Sequence, residues 1–82
     1  MAKFRFDSDK KTAVLAVKRA LNGKLAILKD KNGCLTVGTP PFMTVEIQFS
    51  DGFVETKASL FGKILVGTVD SAIELLDGFE QA

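Results

Sequence analysis

Histidine, tryptophan and tyrosine are absent from these 82 residues, and cysteine occurs once. The missing histidine excludes a neutral-pH imidazole base, a Ser-His or Cys-His dyad, and an imidazole ligand for zinc, copper or non-haem iron within one chain. The single cysteine, Cys34, excludes an intramolecular disulfide, a CxxC redox pair and a thiolate zinc site. Between Gly33 and Leu35 it reads as a small, half-buried strand residue and not as a reactive thiol. Long apolar runs are missing as well: Ala13 to Val17 and Leu25 to Leu28 are the longest, far below the roughly 20 residues that span a bilayer. The N-terminal Lys3-Phe4-Arg5-Phe6 alternates charge with aromatic rings where a secretory signal would be continuously apolar, so the expected setting is the cytoplasm.

What the chain does have is apolar content of 46%, enough for one modest core in a single domain over residues 1–82. Phe4 and Phe6 share one side of an extended segment, and Lys3, Arg5 and Asp7 the other, which predicts a strand over residues 3–7. Ser8 or Asp9 can cap a helix that runs to about Asn22, where Gly23 ends it. At 100° per residue Ala13, Val14, Ala16, Val17, Ala20 and Leu21 form its apolar arc, while Lys11, Lys18, Arg19 and Asn22 form the wet one. Leu15 falls among the charges.

Two hairpins follow. Asn32-Gly33 joins strands over 24–30 and 34–38, with Leu28 opposite Val37, Asp30 opposite Leu35, and the first strand covered on both sides. Thr39-Pro40-Pro41 then turns the chain. Around Asp51-Gly52 a two-residue turn pairs Phe49 with Val54, Ile47 with Thr56, Val45 with Ala58 and Met43 with Leu60 on one face. Glu46 then lies opposite Lys57 on the other face. Ile64 to Val66 reads as a further short strand, and a last helix starts at Thr68, Asp70 or Ser71. Val69, Ala72, Ile73, Leu75, Leu76 and Phe79 share its apolar arc, with Asp70, Ser71, Glu74, Asp77 and Gln81 opposite. The order is α+β: an antiparallel sheet of four to five strands (β-α-β-β-β-β-α) with two helices on one face. Its other face would carry Thr44, Glu46, Gln48, Phe53, Glu55, Lys57, Ser59 and Phe61.

The motifs with a chemical reading weaken on inspection. Gly62 to Thr68 echoes a phosphate loop, but no lysine follows the second glycine, and Asp70 would repel an anion there. Glu46 and Glu55 share a face, yet Lys57 and Gln48 lie across from them, so no acid pair is expected. No catalytic, cofactor or metal residue is therefore expected, and the chain reads as non-enzymatic.

Charge is unevenly placed: residues 1–41 hold nine basic and three acidic groups, residues 42–82 two basic and seven acidic. The first helix would expose Lys11, Lys18 and Arg19 around Leu15, and the last would expose Asp70, Glu74 and Asp77. These faces, with Phe53 and Phe61 on the open sheet, are the candidate interaction residues. The expectation is a small protein-interaction module that docks on another protein or on itself. Two alternatives stay open. One is a nucleic-acid-binding accessory using Lys3, Arg5, Lys10, Lys11, Lys18, Arg19 and Lys24; the other is a carrier of a small apolar ligand between helices and sheet.

Overall fold

A computed structural model describes residues 2–39 and 41–82, so Met1 and the Pro40 part of the expected Thr39-Pro40-Pro41 turn lie outside the described residues. The elements are β1 (Lys3–Phe6), α1 (Lys10–Leu21), β2 (Ile27–Lys31), β3 (Cys34–Thr39), β4 (Met43–Ser50), β5 (Phe53–Ala58), α2 (Lys63–Glu74) and β6 (Phe79–Gln81). All strand pairs are antiparallel, in the order β2-β3-β4-β5-β1-β6. The fold is α+β as expected, with six strands among the described residues where four or five were predicted.

Local chemistry explains α1. Asp9 stands in extended conformation and its carboxylate accepts the Thr12 N–H at 3.2 Å, satisfying one of the free donors of the first turn. Ala13, Val17 and Leu21 recur every four residues and are fully buried. Gly23, at φ +82°, lets the chain leave.

Asn32 and Gly33, both at positive φ, make the first hairpin turn. Asp30 faces Leu35 as predicted, but a bulge between Ile27 and Lys29 puts Ile27, not Leu28, opposite Val37. The first strand of this hairpin starts at Ile27 and is not covered on both sides: β2 is a sheet edge whose last four residues are exposed. Lys29, Asp30 and Lys31 give that edge the charge that discourages strand addition.

The β4–β5 register is the predicted one from Val45–Ala58 to Phe49–Val54, with Glu46 opposite Lys57. The pair Met43–Leu60 does not form, because β5 stops at Ala58. Ser59 ends it: its hydroxyl donates to the Phe42 carbonyl at 2.8 Å and accepts the Thr44 and Gly62 N–H groups, each at 3.1 Å. Ser59 and Phe61, expected on the open sheet face, therefore belong to a turn. Met43 instead lies opposite Thr39.

The second helix departs most from expectation. It starts at Lys63, so Ile64 to Val66 are helical and not a strand. Gly62 precedes it without a side-chain cap, packed so closely on β4 that a Cβ would stand 2.1 Å from the Thr44 carbonyl oxygen. Val69, Ala72 and Ile73 are buried as predicted. The helix ends at Glu74, so Asp77 and Gln81 lie beyond it, and Leu75 is exposed. Phe79 leaves the helical arc to enter β6, where its ring stacks on Phe6 at 5.5 Å.

Both helices pack on the same side of the sheet and against each other. Phe4, Leu35, Val37, Val45, Ile47 and Val54 point into this layer from the strands, and all are fully buried. Burial of these side chains supplies the main driving force of folding, about 1.5–3 kcal/mol each. Among the described residues no helix is long and apolar enough to cross a membrane.

Candidate interaction surface

The sheet face away from the helices is a grid of paired polar groups. Across it run Lys31, Cys34, Gln48, Glu55 and Lys3 in one row, and Ser50, Phe53, Arg5 and Glu80 in the next. Arg5 and Glu80 lie 3.5 Å apart across β1 and β6, both well exposed. The Lys3 ammonium stands 4.5 Å from the centre of the Phe53 ring, which leaves that side chain only 37% exposed. Cys34 is half-buried in this grid; burial, followed by repulsion from Glu46, pushes its thiol pKa up, which disfavours the reactive thiolate. Among the described residues no group of three or more acidic or cysteine side chains is placed to hold a metal ion.

The predicted charged faces are dispersed. On α1 Leu15 is 47% exposed, and Lys11 and Lys18 line the same shallow depression, but Lys18 is held by Asp30 of β2 at 2.5 Å. Arg19 is exposed on the same helix. On α2 Asp70 does not face outward with Glu74: it accepts a hydrogen bond from Thr56 at 3.0 Å. Glu74 ends the helix and Asp77 follows it in a turn, so the three acids do not form one helical face. The basic residues of the first half divide between the two sides of the sheet, Lys3 and Arg5 on the open face, and Lys11, Lys18 and Arg19 on the helix above the other.

Instead the fold gathers apolar side chains at one end. Phe42, before β4, and Phe61, before α2, meet edge to face with ring centres 6.0 Å apart. With Met43 and Ile64 they line a wholly apolar depression. Leu60 precedes Phe61 in the same connection, and the exposures of Phe42, Leu60, Phe61 and Ile64 run from 52% to 79%. The Ser59 hydroxyl joins the two connections, and Gly62 lets them approach, so the rings rest on a fixed backbone.

Of these residues sequence reasoning found only Phe61. Met43 and Leu60 were hidden by extending the hairpin register past Ser59, and Ile64 by reading its segment as a strand. A signal existed in the run Leu60-Phe61-Gly62, where two large apolar residues in succession break the apolar-polar alternation and a glycine follows. No family model, curated protein or solved structure matches the chain.

Proposed function

We propose that this chain is a small non-enzymatic protein-interaction module that docks on another protein through the apolar end formed by Phe42, Met43, Leu60, Phe61 and Ile64. The observation that carries this reading is the exposure of four large apolar side chains on two adjoining connections joined by Ser59 and at the start of α2. Scattered exposed leucines such as Leu15 need no explanation, whereas a contiguous apolar patch is retained against its solubility cost where something covers it. A cytoplasmic setting belongs to the same proposal, in keeping with a lone cysteine that makes no disulfide.

Site-specific photo-crosslinking in the native host tests it. A photoreactive residue at position 60 should yield an adduct with another protein, and one at position 15 should not. A nucleic-acid adduct, or protein adducts from position 15 alone, would overturn the reading.

A further inference from the structure

Resting on that reading, we infer that the partner segment is an amphipathic helix with carboxylates beside its apolar stripe. Residues 42–82 carry seven acidic groups and only two basic ones, Lys57 and Lys63. Lys63 opens α2 between Phe61 and Ile64. It lines, with Lys57, Ala58 and Val66, a second depression around the first turn of the same helix. No carboxylate lines either depression. Among the described residues the ion pairs are Arg5–Glu80 and Lys18–Asp30; Lys57 lies opposite Glu46 in the sheet without closing an ion pair, and Lys63 makes none.

Charge and topology select the occupant. A second copy docked by a two-fold axis sets like surface against like and brings Lys63 toward its own equivalent, whereas an acidic segment from another protein meets it with opposite charge. Strand addition is closed here, because β3, β4 and β5 each have a neighbour on both sides. What remains is docking by side chains, in which a helix presents apolar anchors three or four residues apart to the open, shallow surface of Phe42, Met43, Phe61 and Ile64. Carboxylates flanking that stripe would then reach Lys57 and Lys63, adding specificity and speed of encounter.

The test is a phage display selection of random peptides of about 16 residues, enough for four helical turns, on the purified chain. Ile64→Glu serves for counter-selection, and circular dichroism checks its fold. Enriched peptides should combine apolar residues at that spacing with net negative charge, and should lose binding to Ile64→Glu. Replacing their acids by lysine, or testing them on Lys57→Gln/Lys63→Gln, should weaken binding about tenfold. Neutral or basic apolar peptides that still require Ile64 would overturn the acidic partner and leave the docking reading intact. Absence of any peptide sensitive to Ile64→Glu would overturn both. Sedimentation of the chain with phosphatidylserine vesicles, or a doubled light-scattering mass, abolished in either case by Ile64→Glu, would put a lipid or a second copy on this surface and also overturn the inference.

Discussion

The hydroxyl of Thr56 donates to the Asp70 carboxylate at 3.0 Å, joining the middle of β5 to α2 through the one buried polar side chain of the described core. The same oxygen accepts the Ala2 N–H at 3.4 Å, so the start of the chain is tied to the same point. Asp70→Ala should lower stability in urea unfolding by about 1–3 kcal/mol, because it leaves a 1%-exposed hydroxyl without its acceptor. In a Thr56→Val background the same change should have little effect, since the group that needs the carboxylate is gone. Additive losses would show that the bond contributes nothing of its own.

Gly62 and Gly67 should respond to alanine in opposite directions. A Cβ on Gly62 would meet the Thr44 carbonyl oxygen at 2.1 Å and Ser59 Oγ at 2.8 Å, whereas one on Gly67 meets nothing within 4 Å. Gly62→Ala should destabilise by about 1–3 kcal/mol through overpacking. Gly67→Ala, inside α2, should stabilise by about 0.5–1 kcal/mol. Thermal unfolding of the two variants beside the parent chain decides it.

Acid should weaken the start of α1. The Thr12 hydroxyl, and after it the Thr12 N–H, hold the Asp9 carboxyl below its ordinary pKa. A carboxyl so depressed contributes stability that is present above its unfolded pKa and fades as pH falls through the folded one. Asp9→Ala should therefore lower the urea midpoint at neutral pH, and its difference from the parent should shrink as the solution is taken below the ordinary carboxyl range. A difference that stays constant down to pH 2 would assign the effect to something other than the charged cap.

Exposed and buried aliphatics of α2 provide an internal contrast. Ile64 is 74% exposed and Ile73 fully buried on the same helix. Ile64→Ser should change the unfolding free energy by no more than about 0.5 kcal/mol, while Ile73→Ala should cost about 2–5 kcal/mol. A large loss at Ile64 would mean that its side chain supports the fold and is not held in reserve for a partner.

The legible parts of this fold are those in which neighbouring residues agree. Asp9, the four-residue spacing of Ala13, Val17 and Leu21, and Gly23 all indicate α1, and Asp51-Gly52 fixes a register that alternation and charge both support. The start of α2 carries no such agreement: Gly62 offers no cap, and Ile64-Leu65-Val66 suits a strand as well as a helix. What decides it is the Ser59 bridge to β4, a contact between distant positions. Phe79 keeps helical phase with Ile73 and Leu76, but α2 ends at Glu74, Gly78 at φ +86° turns the chain and β1 captures the ring. The apolar end was legible only at Phe61, because its other members depend on where β5 stops and where α2 begins. Asp70 looks solvated along the helix and is drawn inward by Thr56, which only the packing of α2 on β5 brings near.

The placement of β1 between β5 and β6 bears on how the chain acquires its shape during synthesis. Phe4 lies opposite Val54 on one side and Gln81 on the other, so β1 is synthesised well before either of its hydrogen-bonding neighbours. The hairpins β2–β3 and β4–β5 close short loops and can form early, whereas β1 must wait for both of its partners across long stretches of sequence. Closing β1 onto β5 and β6 therefore joins segments about 50 and 75 residues apart, the widest separations in the sheet.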